Sequence, residues 1–182
     1  IPIVYEGKLC SETSIKNLAS PLRLHVATHG YYFNNSNNTF VNKYSSISNS
    51  LLNTGLILTE AKAKTNELND GFLSAYEVLD LNLNNTELVV LSACETSLAS
   101  YNYTGSDVNS LQRSFRMAGT KAVLASKWKV PDKQTGELMT EFYTNWLVNK
   151  MTKHQALQQA QLTLRKKYPE PYYWAAWVLY GE

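Results

Sequence analysis

Three short segments of the chain are rich in valine, leucine and alanine and are bounded by polar residues, which is typical of β-strands. They cover residues 22–28, 87–93 and 121–126, and the last is apolar enough to be buried on both faces of a sheet. Segments with helical periodicity lie between them, so strands alternate with helices along the chain. This order predicts an α/β fold in which helices flank a mainly parallel central sheet on both faces.

Apolar residues at helical spacing, together with capping residues, predict the helices. A long helix is predicted to open at Asp132, and the chain is predicted to close with an aromatic strand at 173–180. Residues 34–53 are rich in asparagine and serine and are predicted to form a surface loop. The predicted N-caps are Ser11, Ser106 and Thr152, the last in a capping-box pattern with Gln155.

The length and the even composition of the chain bear on its domain organisation. Its 182 residues contain no internal repeat and no obvious linker, which predicts one domain over residues 1–182. Because the chain begins with Ile1 rather than methionine, we expect it to be a fragment of a larger protein or a partner to one.

Charge, apolar runs and cysteine count argue against several classes of protein. A net charge of +2 without a clustered basic face is not typical of direct nucleic-acid binding. The longest apolar runs are far shorter than a membrane span, so we expect no membrane association. Two cysteines, Cys10 and Cys94, do not make a disulfide framework, and we expect a reduced, cytoplasmic setting.

Two of the predicted strands lead directly into residues that a cysteine peptidase requires. His29 and Gly30 follow the strand at 22–28, and Cys94 follows the strand at 87–93. In open parallel sheets, ligands bind beyond the carboxyl ends of the strands, so we expect His29 and Cys94 to meet in one cleft. A histidine beside a thiol stabilises the thiolate nucleophile and then returns a proton to the leaving amine.

The neighbouring backbone and the chain order agree with this chemistry. The N–H groups of Gly30 and Cys94 are expected to form an oxyanion hole, because a glycine lets the substrate carbonyl approach closely. The histidine precedes the cysteine, as in caspases and in contrast to papain-like enzymes. His25 would suggest a metal pair with His29, but no third ligand is evident, so we expect a core histidine, no metal and no cofactor.

The spacing also admits a purely structural interpretation. A cysteine often behaves as a small buried hydrophobe, and a histidine that follows a strand is often only a hydrogen-bonded polar residue. On this interpretation the chain has the same core but no catalytic activity.

Five longer segments extend the comparison beyond spacing: LHVATHG at 24–30, LVVLSACET at 88–96, GTKAVLASKWKVPD at 119–132, ALQQAQLTL at 156–164 and YYWAAWVL at 172–179. Together, and in this order, they resemble the CHAT family of caspase-like domains, which are often attached to tetratricopeptide repeats. The resemblance implies the caspase–hemoglobinase fold of clan CD and matches His29 and Cys94 to the family's catalytic dyad. The chain itself contains no such repeats.

Resemblance to caspase-like enzymes also implies the residues of a pocket for P1, the substrate residue on the acyl side of the cleaved bond. Ser92, two residues before the cysteine, lies near the floor of that pocket, where metacaspases carry a carboxylate that favours lysine or arginine. Because Ser92 is neutral and small, an uncharged P1 residue stays open beside a basic one. Glu95, Trp128 and Asp132 complete the predicted substrate-binding set. Trp128 forms an apolar wall or packs in the core, and Asp132 pairs with a basic P1 residue or caps a helix.

The function that the resemblance implies is a cysteine endopeptidase that cleaves a partner protein. Its activator is expected to be a sensor or tetratricopeptide-repeat region, in cis or in trans. Relatives of this type act in bacterial regulated proteolysis and defence, including systems linked to CRISPR complexes or to gasdermin-like pore formers. Two alternatives stay open, namely a catalytically inactive interaction scaffold and another cysteine-dependent acyl transfer such as an amidase reaction.

Overall fold

The main sheet runs through the centre of the protein. The computed structural model describes residues 3–32, 50–59, 61, 69–92 and 110–182. Four strands form the main sheet, in the spatial order β1 (Arg23–Val26), β5 (Leu88–Leu91), β6 (Ala122–Ser126) and β7 (Trp177–Gly181). The first three strands are parallel, and β7 runs antiparallel to β6. The predicted α/β architecture with a mainly parallel sheet is confirmed.

One face of the main sheet packs against two short helices. Successive side chains of a strand point to opposite faces, so Val89 and Val123 lie on the same side of the sheet. They belong to a hydrophobic cluster that includes residues of α2 (Ala75–Val78) and α3 (Ser110–Met117).

The opposite face packs against two longer helices. Val90 and Leu124, one position along from the residues of the first cluster, pack against α4 (Asp132–Tyr143) and α5 (Lys153–Lys167). Helices therefore cover both faces of the main sheet, as predicted.

A second, antiparallel sheet is present, of which the sequence predicts only the middle strand, as a short buried strand or hairpin arm at residues 55–59. It contains β2 (His29–Tyr32), β3 (Thr54–Ile57) and β4 (Phe72–Ser74), with β3 in the middle. The strand predicted at 22–28 ends at Val26, and three residues later, at His29, the chain enters the second sheet. His29 therefore begins a strand rather than following one.

Helix α1 (Glu12–Lys16) holds the second sheet through a buried carboxylate. Glu12 is only 1% exposed, and its Oε2 accepts a hydrogen bond from the N–H of Gly71 at 2.8 Å, directly before β4. Lys16 pairs with Glu12 and, at 3.0 Å, with Glu77 of α2. One cation thus bridges two carboxylates beneath the β3–β4 pair.

The predicted N-caps at Ser11 and Thr152 are confirmed. The hydroxyl of Ser11 accepts a hydrogen bond from the N–H of Ser14, and Thr152 forms the predicted capping box with Gln155. The predicted cap at Ser106 lies outside the described residues.

Two predicted segments differ from the structure in extent. Most of the loop predicted at 34–53 lies outside the described residues, but Ser50–Leu52 forms a 3₁₀ turn and Asn53 is buried. The prediction of a surface loop is therefore wrong for residues 50–53. The final strand begins at Trp177 rather than at residue 173, because a 3₁₀ turn at Pro171–Tyr173 precedes it.

Candidate active site

The main sheet brings the two strands of the predicted catalytic pair side by side. β1 and β5 are adjacent and parallel, with Val26 opposite Leu91. The N–H of Ser92 donates to the carbonyl oxygen of Val26 at 2.9 Å, so the pairing continues beyond the end of β5. In the chain, His29 follows Val26 by three residues and Cys94 follows Leu91 by three residues.

His29 occupies a fixed backbone position with an exposed side chain. It is paired with Ile57 in the β2–β3 ladder, and the hydroxyl of Thr28 donates to the carbonyl oxygen of Ile57. No hydrogen-bond partner of its imidazole lies within the described part of the chain. Gly30, the next residue, is buried. The imidazole is therefore free, as far as the described residues extend, to engage another group.

A pocket of about 290 Å³ opens at the carboxyl ends of the parallel strands. The residues that end or directly follow the three strands form one side, namely Ala27, Ser92 and Ser126. Helix α4 forms the facing side through Asp132, Thr135, Gly136 and Met139. This is the position at which ligands bind in open α/β sheets.

The structure brings together some of the predicted substrate-binding residues. Ser92 and Asp132 both line the pocket. Trp128 is not among its described lining residues; it is 37% exposed, and its Nε1 donates to the carbonyl oxygen of Tyr172 at 2.9 Å. Two predicted site residues lie outside the described part of the chain: Cys94 and Glu95.

The structure excludes one of the two predicted roles of Asp132, that of a helix N-cap. Pro131 occupies the N-cap position of α4, Asp132 is the first helical residue, and no side-chain hydrogen bond caps the helix. The expectation that Asp132 is the N-cap is therefore wrong. Its side chain is exposed and has no ion-pair partner among the described residues. The carboxylate is thus available to a ligand in the pocket.

Comparison with protein families identifies the fold. A model of the CHAT domain matches residues 3–182. The chain belongs to the CHAT domain family. CHAT domains are caspase-like, are related to cysteine peptidases and are often paired with tetratricopeptide-repeat regions. Comparison with curated proteins finds no significant match. Within the described ranges, no helix is long and apolar enough to cross a membrane.

This CHAT domain has a polar residue in the pocket that the sequence did not indicate. His25 lines the pocket, with its Nε2 2.9 Å from Oγ of Ser92 and its Nδ1 3.2 Å from the hydroxyl of Tyr143. Desolvation by the surrounding protein lowers the pKa of His25 below its ordinary value. The imidazole is therefore neutral at neutral pH, when it has one donor and one acceptor nitrogen.

Tyr143, near the end of α4, supports His25 from the side away from Ser92. Burial raises the pKa of Tyr143 to about 12, so its phenol stays protonated. The ring stacks on Trp146 with centroids 6.4 Å apart, which fixes the direction of the hydroxyl. Tyr143, His25 and Ser92 form one hydrogen-bonded chain of neutral groups.

The expectation that His25 is a core histidine is wrong, because His25 lines the pocket and is exposed. His25 belongs to β1 in the main sheet and His29 to β2 in the second sheet. Among the described residues, no group of three potential ligands could hold a metal ion. Strand alternation could have found His25, because it puts residues 25 and 27 on the face that carries Ser92.

Proposed function

We propose that this CHAT domain is a cysteine endopeptidase in which Cys94 is the nucleophile and His29 its acid–base partner. One observation carries the proposal. The strands that lead to the two residues are adjacent and parallel, and the register pairs Val26 with Leu91, three residues before each of them. His29 and Cys94 thus each follow the same paired position by three residues, on neighbouring strands that run in the same direction. Their side chains are therefore expected to lie close to each other.

The chemistry requires only these two side chains. His29 accepts the thiol proton, and the Cys94 thiolate attacks the carbonyl carbon of the scissile peptide bond. The carbon–nitrogen bond breaks as the imidazolium donates its proton to the leaving amine. Water, deprotonated by the same histidine, then attacks the thioester carbon. The carbon–sulfur bond breaks, the new carboxyl end of the substrate is released, and the Cys94 thiolate takes back the proton from the imidazolium.

The residues around the pair support binding of a peptide. The backbone N–H groups of Gly30 and Cys94 would donate to the oxyanion that forms on the attacked carbonyl. Ser92 and Asp132 line a pocket of about 290 Å³ at the carboxyl ends of the parallel strands. Glu95 and Trp128 are further proposed substrate contacts.

Family membership supports a proposal for the biological setting. We propose that residues 1–182 act as one domain, in the cytoplasm, on a protein substrate, without cofactor or metal. The frequent pairing of CHAT domains with tetratricopeptide-repeat regions supports activation by such a region or by a sensor, in cis or in trans. Bacterial regulated proteolysis or defence is the proposed context.

Labelling with a thiol-reactive peptide probe tests the dyad. We expect selective modification of Cys94, located by peptide mass mapping, and a decrease of about a hundredfold or more in the labelling rate of His29→Ala. His154→Ala is the matched histidine control, since His154 is exposed on α5. Cys10→Ala is the matched cysteine control, because Cys10 is partly buried and its Sγ donates to the carbonyl oxygen of Tyr5.

The outcomes separate the possible functions. Labelling of Cys94 that depends on His29, together with cleavage of a protein or peptide library, supports an endopeptidase. Labelling without cleavage of any peptide, but with hydrolysis of small amides, favours the amidase alternative. A Cys94 that reacts no faster than Cys10 in protein supplied with its activating region contradicts the proposal and favours an inactive scaffold.

A further inference from the structure

The two chain segments that lead to the proposed catalytic pair are bonded to each other just before they reach it. β1 leads to His29, β5 leads to Cys94, and Ser92 is the first residue after β5. The N–H of Ser92 donates to the carbonyl oxygen of Val26 at 2.9 Å, and its hydroxyl lies 2.9 Å from Nε2 of His25. Ser92 is therefore attached to β1 at two points.

The second attachment restricts the direction in which the chain leaves the sheet. The Cα register of β1 with β5 ends at Val26 and Leu91. The backbone of a residue has two soft dihedrals, and a single hydrogen bond leaves both able to vary. A second bond, from the side chain of the same residue, narrows that range. The contact with His25 therefore contributes to the path that the chain takes from Ser92 towards Cys94.

Tyr143 holds His25 in place from the other side. Its hydroxyl lies 3.2 Å from Nδ1 of His25, and the two ring centroids are 5.9 Å apart. The Tyr143 ring in turn stacks on Trp146 and contacts Phe142, whose side chain is fully buried. An imidazole that is bonded at both nitrogens cannot rotate without breaking a hydrogen bond. The orientation of Ser92 therefore depends on helix α4 as well as on β1.

The contacts of His25 suit a residue that positions another group, and not an acid or a base. Serine and tyrosine hydroxyls can each donate or accept, so either neutral tautomer of the imidazole is satisfied. Desolvation lowers the pKa of His25, so the ring is neutral at neutral pH. Both of its nitrogens are occupied, and neither is left to act on a reacting atom.

The cation nearest to His25 along β1 is engaged elsewhere. The guanidinium of Arg23 lies 5.0 Å from the Trp146 ring centroid and 3.7 Å from a carboxylate oxygen of Glu87. The contact between His25 and Ser92 is thus a hydrogen bond between two neutral groups.

We propose that His25 and Tyr143 are positioning residues of the proposed peptidase: they hold Ser92, and through it the segment that leads to Cys94, against the strand that leads to His29. The inference rests on the proposed function, because this position matters only if Cys94 and His29 react together. A displacement of about 1 Å in a catalytic group can cost about a hundredfold in rate, so a tether between the two segments bears directly on activity.

The pH dependence of Cys94 alkylation measures how well the two catalytic groups are paired. Iodoacetamide is small and uncharged, so its rate follows the thiolate fraction and needs no substrate pocket. A thiol paired with a histidine ionises well below its ordinary pKa of about 8.5. In protein supplied with its activating region, we expect wild-type Cys94 to react at pH 6.5 about a hundred times faster than in His29→Ala. The two rates should converge at pH 9.5, where the unpaired thiol is also ionised.

Removal of a single hydroxyl tests the tether at a residue outside the described pocket lining. Tyr143→Phe should lower the rate at pH 6.5 about twofold to tenfold, the effect of one hydrogen bond, and leave the rate at pH 9.5 unchanged. Tyr168→Phe is the matched control, because it removes a hydroxyl that donates to Glu137 at 3.1 Å. It should leave both rates unchanged.

Substitutions of His25 test the central residue of the tether. His25→Leu should lower the rate at pH 6.5 about tenfold to a hundredfold. His25→Gln, which keeps a neutral hydrogen-bonding side chain, should restore most of it. The double variant of His25→Leu and Tyr143→Phe should react no more slowly than His25→Leu alone, because both residues act through one bond. A rate lowered by the product of the two single effects would overturn the assignment of Tyr143.

The outcomes distinguish this inference from the proposed function. Wild-type rates at pH 6.5 in both Tyr143→Phe and His25→Leu overturn the positioning roles and leave the cysteine peptidase standing. Equal losses at pH 6.5 and pH 9.5 also overturn them, because they show a general disturbance of the structure. If His25→Leu does not fold, the Tyr143→Phe result decides alone. A wild-type rate at pH 6.5 that His29→Ala does not change contradicts the peptidase itself, and the positioning roles with it.

Discussion

The imidazole of His25 lies 2.9 Å, through Nε2, from the hydroxyl of Ser92, two residues before the proposed nucleophile. His25 lies one residue before the end of β1 and Ser92 directly follows β5, its parallel neighbour, on the same face of the main sheet. Tyr143 contacts the other nitrogen of the imidazole at 3.2 Å. The pocket floor is thus held by a chain of neutral groups from three separate elements.

The stability of the protein should depend on pH through His25. Its pKa in the folded state is lowered, so below about pH 6.5 the unfolded chain binds the proton more readily than the folded one. The stabilisation from the neutral imidazole is present above pH 6.5 and is lost as the pH falls through the lowered folded value. Denaturant unfolding at pH 7.5 and at pH 5 measures the free energy of unfolding at each pH. Its decrease from pH 7.5 to pH 5 should be smaller for His25→Gln than for the wild type.

His154→Gln is the control for this experiment, since it removes an exposed histidine from α5. It should show the same decrease as the wild type. If the free energy of unfolding of His25→Gln falls between pH 7.5 and pH 5 as much as that of the wild type, His25 is not the group responsible.

The buried carboxylate of Glu12 should be important for stability. Glu12→Ala leaves the N–H of Gly71 without its acceptor and removes one of two carboxylates from Lys16. We expect a loss of about 3 kcal/mol in the free energy of unfolding, as for the removal of one partner from a buried ion pair. Glu170→Ala, at an exposed position, should change it by less than about 0.5 kcal/mol. Equal losses in the two variants would contradict this account of Glu12.

Two glycines should respond in opposite directions to the same substitution. A Cβ at Gly55 would lie 2.2 Å from the carbonyl oxygen of Leu73 and 2.7 Å from the ring of Tyr31, so Gly55→Ala forces the strands of the second sheet apart. At Gly136, within α4, a Cβ would meet nothing within 4 Å. Thermal unfolding should show a lower Tm for Gly55→Ala. Gly136→Ala should gain about 0.5 to 1 kcal/mol from helix propensity.

The capping box of α5 offers a smaller, local prediction. The N–H of Gln155 donates to the hydroxyl of Thr152, and the N–H of Thr152 donates to the side-chain oxygen of Gln155. Thr152→Ala should cost about 1 kcal/mol of stability by chemical denaturation. Thr163→Ala, in the interior of the same helix, should be neutral or slightly stabilising because alanine is the better helix former. If Thr152→Ala lowers the free energy of unfolding no more than Thr163→Ala does, Thr152 does not stabilise the start of the helix.

The main sheet and its helices could be predicted because their signals are local. The segments at 87–93 and 121–126 contain β5 and β6, and the side chains at Ser11 and Thr152 mark helix starts by hydrogen bonds that span three residues. Strand alternation and capping depend on near neighbours in the chain, so the sequence displays them directly.

The second sheet could not be predicted in the same way. The two residues that separate β1 from β2 are Ala27 and Thr28. Neither is a glycine or a proline, the residue types that commonly mark a change of chain direction. The chain turns there because β2 pairs with β3 and the Thr28 hydroxyl bonds to Ile57, 29 residues further on. A strand boundary that depends on so distant a partner leaves no local pattern.

The sequence by itself determined which residue types are available to the proposed chemistry: a histidine followed by a glycine, a cysteine with a serine two residues before it, and an aspartate at a predicted helix start. Residue type and strand order decide these features. The tertiary structure alone decided that His25 lies between Ser92 and Tyr143, residues 67 and 118 positions away. It also decided that Asp132 opens into the pocket instead of capping α4. Hydrogen bonds and burial depend on neighbours in space, and here those neighbours lie far apart along the chain.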